Sequence, residues 1–173
     1  MASFTERAIG AARLDRAIYE EVEHDAGATP QAAAVVVLAS LAFGVGHAGQ
    51  GGGLLTGMVA SLLGWVVWAT ITWLVGTRLL PTASTHADLG QLLRTIGFSA
   101  APGVLAIFAL VPLVGWLVAL AAALWQLVAM VVAVRQALDY PTTARAVAVC
   151  AVGFLGYVLV AGLVLGGLRA LAT

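Results

Sequence analysis

Apolar residues fill long uninterrupted stretches of this chain, and the longest runs from Ile96 to Val134 without a charged residue. A helix rises about 1.5 Å per residue, so it needs about 20 apolar residues to cross the hydrocarbon layer of a bilayer. The stretch therefore predicts two lipid-spanning helices, over residues 96–112 and 115–134. Pro112 and Gly115 predict the turn that joins them.

Three further apolar stretches predict spans over residues 31–47, 54–76 and 146–168. Thr29 and Pro30 mark the start of the first span, since threonine can cap a helix and proline suits its first turn. The fold class that we predict is all-α: residues 29–173 form a polytopic membrane bundle of five transmembrane helices. A glycine-rich loop over residues 49–53 joins the first two spans.

The segment before the first span, residues 1–28, predicts an amphipathic helix at the membrane interface. Apolar residues recur every three or four positions between Phe4 and Glu23, opposite a charged face. Asp15 intrudes on the apolar stripe and needs a partner if it is buried. Six acidic and three basic residues give the segment a charge of minus three. That balance disfavours anionic lipid headgroups and favours docking on protein.

A second interfacial helix is predicted just before the third span. Thr85 and Asp88 have the spacing of a capping box, and leucines define an apolar edge over residues 89–96. Within the third span, Pro102 lacks a backbone N–H and therefore predicts a kink.

Composition separates this chain from soluble proteins, because 62% of its residues are hydrophobic and only 9% are charged, against about 25% in soluble domains. All eight basic residues are arginine and the net charge is zero, which gives no support for nucleic-acid binding. Cys150 is the single cysteine, so no intramolecular disulfide can form. No cofactor motif is present, and we expect neither a cofactor nor an apolar secretory signal at the N-terminus.

Arginine placement predicts the orientation. With five spans, a cytoplasmic N-terminus places seven of the eight arginines on the cytoplasmic side and leaves only Arg169 outside. All eight acidic residues fall on the cytoplasmic side as well. We therefore expect a multi-pass protein with a cytoplasmic N-terminus and an external C-terminus.

Charged residues near the cytoplasmic ends of the spans form the candidate docking surface. We expect Arg94 and Arg135 to lie nearest Glu20, Glu21 or Asp25, because both arginines end their spans. Helical spacing would also let Glu20 or Glu21 share a face with His24 and ligate a metal, completed by Asp139. We favour the hypothesis that these carboxylates form ion pairs with the arginines, and metal binding is the alternative. The whole surface comprises Asp15, Glu20, Glu21, Glu23, His24, Asp25, Arg94, Arg135 and Asp139.

Small residues spaced by four let helices approach closely in lipid. Gly57 and Ser61 form such a pair in the second span, and Gly162 and Gly166 form another in the fifth. Helix packing is the role that we expect for these residues.

Two stretches of the sequence resemble those of a known family. Residues 97–105, GFSAAPGVL, resemble the GYxxxP-type signature in the third span of Yip1-domain membrane proteins, and residues 14–39 are similar to the entry of prokaryotic members. The resemblance places Gly97, Phe98 and Pro102 on the signature, with phenylalanine where tyrosine is frequent. It implies a membrane-embedded adaptor, since eukaryotic relatives associate with Rab-type GTPases in vesicle traffic. The DLYGP-like N-terminal motif of those relatives is missing, which implies the prokaryotic branch and a bacterial inner membrane.

Three functions remain open. A non-enzymatic adaptor predicts packed spans and a cytoplasmic acidic surface that recruits a protein partner or a second copy. A small transporter or channel predicts a polar cavity near Gln126, Ser99 and Thr70. A metal-binding membrane protein would use the cluster from Glu20 to Asp25. An enzyme is not expected, because no nucleophile, base and orienting group fall within one motif.

Overall fold

The computed structural model describes residues 1–47 and 53–171, and every regular element in those ranges is helical. Five of the helices are long and apolar enough to cross a membrane. The predicted all-α bundle of five spans is therefore confirmed. The predicted glycine loop at 49–53 lies outside the described residues, apart from Gly53.

The N-terminal segment forms two helices, α1 (Phe4–Ala12) and α2 (Arg16–His24), so the prediction of one continuous helix is wrong. The chain reverses at Leu14, which has a left-handed backbone with φ of 63°. Asp15 is exposed and caps α2, its side chain accepting from the backbone N–H of Ala17 at 2.9 Å. Because asparagine, aspartate and serine are preferred at this position, Asp15 needs no buried partner.

The two N-terminal helices touch where Gly10 faces Ile18. A Cβ at Gly10 would lie 2.5 Å from Cγ1 of Ile18, so only glycine lets the helices approach this closely. We call residues 1–28 the N-terminal cap.

The five spans begin directly after the cap. Thr29 is the first residue of the first span and Ala28 occupies the capping position, so the predicted threonine cap is wrong, whereas Pro30 lies in the first turn as expected. The helices are α3 (Thr29–Gly46), α4 (Leu54–Leu74, extended by a π-helical segment Val75–Leu79), α5 (Leu89–Phe98, followed by a 3₁₀ helix Ala101–Leu110), α6 (Gly115–Ala137) and α7 (Thr143–Leu171).

The third span begins at Leu89 and not at Ile96, because the predicted interfacial helix is its first half. Asp88 caps α5 in a capping box with Gln91, and the helix is largely buried. Pro102 falls at the start of the following 3₁₀ helix, where its missing N–H leaves no helical bond unmade. The span is therefore divided into an α-helical half and a 3₁₀ half, which replaces the predicted proline kink.

Burial is concentrated at the end of the bundle that carries the cap. Tyr19 and Val22 of the cap pack with Val35 of α3 and Phe98 of α5 in one buried cluster. A second buried cluster joins α4, α5, α6 and α7, and Tyr140 ties it together by donating from its hydroxyl to the carbonyls of Gly76 and Leu80. The cap is thus part of the core of the fold.

Candidate functional site

The junction between the cap and the third span carries most of the predicted site residues. Arg94 of α5 is 8% exposed, and its Nε donates to the carbonyls of Val22 at 2.9 Å and Glu23 at 3.1 Å, while Nη2 donates to the same Glu23 carbonyl. The last carbonyls of a helix lack helical partners and carry the negative end of its dipole, which favours a cation there. Arg94 therefore contacts the end of α2 through backbone oxygens and not through the carboxylates that we expected.

Two of the predicted docking carboxylates are bound inside the cap. Arg7 is 2% exposed, and its Nη2 lies 2.7 Å from Oε1 of Glu21 and 2.7 Å from Oδ2 of Asp25. Its Nη1 donates to Oε1 of Gln31 in the first span at 3.2 Å. The Arg7 guanidinium lowers the pKa of both carboxyls by hydrogen bonding to them. Glu21 and Asp25 therefore serve mainly to hold the cap together.

Glu23 is the buried carboxyl of the junction, with only 3% of the residue exposed. Its Oε1 accepts from Nε2 of Gln91 at 3.2 Å, and its Oε2 has no hydrogen-bond partner among the described residues. Burial, helped by the nearby carboxylate of Asp139, raises the pKa of Glu23 to about 7. This carboxyl changes its charge near neutral pH.

Glu20 contacts the fourth span, α6, through Gln136 and not through Arg135, the adjacent residue that we predicted. Its carboxylate accepts from the side-chain amide of Gln136 on α6. Arg135 instead donates to the carbonyls of Tyr140 at 3.2 Å and Pro141 at 3.0 Å, in the loop that follows its own helix. The expected contact of Arg135 with the acidic cluster is therefore wrong.

The remaining members of the predicted cluster face outward. His24 is exposed, and its Nδ1 lies 3.0 Å from the carbonyl oxygen of Glu20, a contact that raises the pKa of the imidazole. Asp139 is exposed in the loop after α6. Within residues 1–47 and 53–171, no three histidine, cysteine, aspartate or glutamate side chains lie close enough together to hold a metal ion.

The three signature residues lie immediately beneath this junction. A Cβ at Gly97 would sit 2.7 Å from Cβ of Ala32, so the third span presses against the first at this point. Phe98 is fully buried in the cluster that also holds Tyr19 of the cap, and Pro102 is buried in the next turn.

Comparison with known proteins agrees with this arrangement. A family model described as the Yip1 domain matches residues 17–163, which is most of the chain and runs from the first turn of α2 into α7. The chain belongs to the Yip1 family. A search of curated proteins and a search of solved structures found no match.

The Yip1-domain bundle has an open cavity of about 750 Å³ between α3, α4, the 3₁₀ helix and α6, with α7 at one side. Gln126 lines this cavity as predicted, but Ser99 and Thr70 do not. Ser99 is buried and donates to the carbonyl of Ile96 at 2.7 Å, and Thr70 donates to the carbonyl of Val66 at 2.8 Å. Both hydroxyls thus form their hydrogen bonds within their own helices.

The glycines predicted to pack helices mostly face outward in this Yip1-domain chain. A Cβ at Gly57, Gly162 or Gly166 would meet nothing within 4 Å among the described residues, so these three do not pack against the rest of the chain, and Ser61 lines the cavity. The close approach occurs elsewhere on α4 and α7: Cβ atoms at Gly64 and Gly156 would lie 3.0 Å from the Tyr157 hydroxyl and 3.3 Å from Ile71 Cγ2.

Four residues of the Yip1-domain junction make contacts that were not predicted from the sequence. Arg7, Gln91 and Gln136 were not singled out, although each binds a carboxylate of the predicted cluster. Trp125 of α6 was not singled out either, and its Nε1 donates to the carbonyl of Ala12 at the end of α1, at 2.7 Å. For Gln91 and Gln136, the signal that could have identified them is a polar side chain close to the end of a span.

Proposed function

We propose that this protein is a non-enzymatic membrane adaptor whose cytoplasmic cap presents a fixed surface to a protein partner or to a second copy. The observation that carries the proposal is the way the cap is held: Arg94, Trp125 and Gln136, from two different spans, each bind it. A segment anchored at several points exposes its remaining side chains in one arrangement, which reduces the entropy lost on binding.

The orientation that we propose is based on the positions of the arginines along the chain. Seven of the eight arginines lie in the cap, in the π-helical extension of α4, in α5, in the last turn of α6 and in the first turn of α7. Arginine is retained on the cytoplasmic side during insertion, so the cap faces the cytoplasm and the C-terminus lies outside. We place the protein in the plasma membrane of a prokaryote.

The recruiting surface that we propose is centred on Glu20 and His24. Their side chains are 55% and 65% exposed, whereas Glu21, Glu23 and Asp25 are engaged or buried at the junction. Charged groups that remain in solvent steer a partner of opposite charge and set the register of docking. A basic protein segment fits this surface.

Crosslinking in native membranes tests the adaptor function. Glu20→Gln with His24→Gln removes the exposed charge while an amide at position 20 can still meet Gln136. We expect this double variant to lose a protein neighbour, or its own second copy, that the wild type retains. Arg78→Gln is the control, because Arg78 is an exposed charge on a different element, the π-helical extension of α4. Identical neighbours for wild type and double variant would contradict the proposal.

The cavity beside Gln126 favours a second candidate, a small transporter or channel. Liposomes that contain the purified protein and a polar solute would then show flux that Gln126→Leu abolishes. The lining is largely alanine, glycine and aromatic side chains, so a polar solute would find few partners along it. We therefore place this function second.

A further inference from the structure

We propose that the cavity of about 750 Å³ in the span region is a binding site for one hydrocarbon chain of a membrane lipid. Small-ligand sites in proteins measure about 300 to 1,000 Å³, so the space is large enough for a ligand. The proposal concerns a site separate from the cap and does not depend on the adaptor function.

Small residues on facing helices create the space. Ala39 of α3, Ala60 and Gly64 of α4, Gly103 of the 3₁₀ helix and Ala122 of α6 all line it. The space opens on the outer surface of the spans, so whatever surrounds the spans can enter it when the protein is in its membrane.

The walls of the cavity offer few hydrogen-bonding partners to water. A buried water molecule needs two to four polar partners, and the polar side chains on this surface are few: Ser40, Ser61, Gln126 and Tyr157, with two tryptophans. The Ser40 hydroxyl is already bonded to the carbonyl of Val37. Trp65 and Trp68 also use their indole N–H groups elsewhere, on the Leu93 carbonyl and the Met130 sulfur, so they present apolar ring surface to the cavity.

The surroundings identify the occupant. Phe43, Leu127 and Phe154 line the cavity and are 58%, 58% and 59% exposed, so the cavity wall continues directly into the outer surface of the spans. In a bilayer that outer surface faces lipid tails. A hydrocarbon chain can enter sideways between the spans, and each methylene buried against apolar walls favours its retention.

The position of the cavity along the spans suits the hydrocarbon chain of a lipid and not its headgroup. The lining residues come from the middle and the later part of α3 and from the middle of α4, α6 and α7. Headgroups lie at the two interfaces, whereas this cavity lies within the length of the apolar spans.

Photolabelling tests the site. The full-length protein would be reconstituted in phosphatidylethanolamine and phosphatidylglycerol vesicles that contain a phospholipid with a diazirine in the middle of one acyl chain. After irradiation, mass spectrometry locates the labelled residues. We expect the cavity residues of α4 and α6 to be labelled severalfold more than exposed apolar residues of α7. Labelling spread evenly over the outer surface would mean annular lipid only and would overturn the proposal.

Matched variants sharpen the test. Ala60→Phe with Ala119→Phe places two rings in the cavity, and Ala151→Phe adds a ring at an exposed position of α7 outside it. We expect cavity labelling to fall severalfold in the first variant and to stay unchanged in the second. Gln126→Leu should keep the labelling, since apolar walls hold the chain. Undiminished labelling with both phenylalanines present, or loss of labelling in Gln126→Leu, would each contradict a hydrocarbon-chain site.

If the double phenylalanine variant does not fold, the wild type still decides the matter. Native mass spectrometry of the protein released from the same vesicles should show one phospholipid retained under conditions that strip the others. Release of the protein with no lipid attached would contradict the proposal.

Discussion

Arg94 binds Glu23 through the backbone carbonyl of that residue and not through its carboxylate. Its other hydrogen bond to the cap is donated to the Val22 carbonyl, and no acidic side chain among residues 1–47 and 53–171 forms an ion pair with this guanidinium. A buried charge at the membrane end of α5 is thus matched to the dipole at the end of α2, and this match joins the cap to the spans.

Replacing Arg94 by methionine should loosen the cap. The substitution removes the donor from the carbonyls of Val22 and Glu23. A hydrogen bond to a charged group contributes about 1.5 to 3 kcal/mol to stability. We expect the free energy of unfolding to fall by about 2 to 3 kcal/mol and the cap to become sensitive to added protease. Arg78→Met, on an exposed arginine, should change neither measurement. Equal behaviour of the two variants would show that Arg94 does not hold the cap.

Glu23 should make the protein less stable as pH rises. Its ordinary pKa of 4.5 is raised to about 7 in the folded chain, so between those values the folded state binds more protons than the unfolded state. The contribution of Glu23 to stability is therefore fully present below pH 4.5 and is lost as pH rises through 7.

Glu23→Gln should remove this dependence and stabilise the protein at pH 8 by roughly 1 to 3 kcal/mol, since each unit of pKa shift corresponds to about 1.4 kcal/mol. Melting temperatures of both proteins between pH 5 and pH 8.5 provide the measurement. Parallel curves for the wild type and the variant would show that Glu23 does not titrate in this range.

The Arg7 contacts should give the opposite pH dependence at the acid end. Hydrogen bonds from Arg7 hold the pKa of Glu21 and Asp25 below their ordinary values of 4.5 and 3.8. Their contribution is thus present above those values and is lost as pH falls through the lower folded pKa values. Arg7→Met should lower the melting temperature at pH 7 and leave a shallower acid decline below pH 4.5. An unchanged acid decline would contradict the pairing.

Two glycines in the spans should respond differently to the same substitution. Gly97→Ala places a Cβ 2.7 Å from Ala32 Cβ and 3.2 Å from the Ala32 backbone, and overpacking of this kind costs about 1 to 3 kcal/mol. Gly162→Ala meets open space, so it should alter stability by at most about 1 kcal/mol. Thermal unfolding in detergent compares the two. A larger effect at Gly162 would show that the outward face of α7 is packed after all.

The five spans could be predicted from the sequence because each depends on a local property, the length of an apolar run. The boundary of the third span could not, since Arg94 made residues 89–96 look interfacial. Its charge is satisfied by carbonyls that lie about seventy positions earlier in the chain, at Val22 and Glu23, and no local pattern contains that contact.

The partners of the acidic residues could not be predicted from the sequence. Helical spacing places Glu21 and Asp25 on one face of α2, yet the choice of Arg7 as their partner depends on the turn at Leu14. Leucine is an unusual residue for a left-handed backbone, so the sequence offered little warning there. Asp15, by contrast, is a good capping residue that could have marked the start of α2.

The central claim is that the N-terminal segment is seated on the spans and forms part of the fold, and one crosslinking measurement tests it most directly. Glu20→Cys and Gln136→Cys would be introduced together with Cys150→Ala, and the membranes treated with a short bismaleimide. Because these side chains are in hydrogen-bond contact, we expect rapid intramolecular crosslinking, and little from Glu20→Cys paired with a cysteine at exposed Leu155 of α7. Equal, slow crosslinking of both pairs would show a free N-terminal tail and contradict the account.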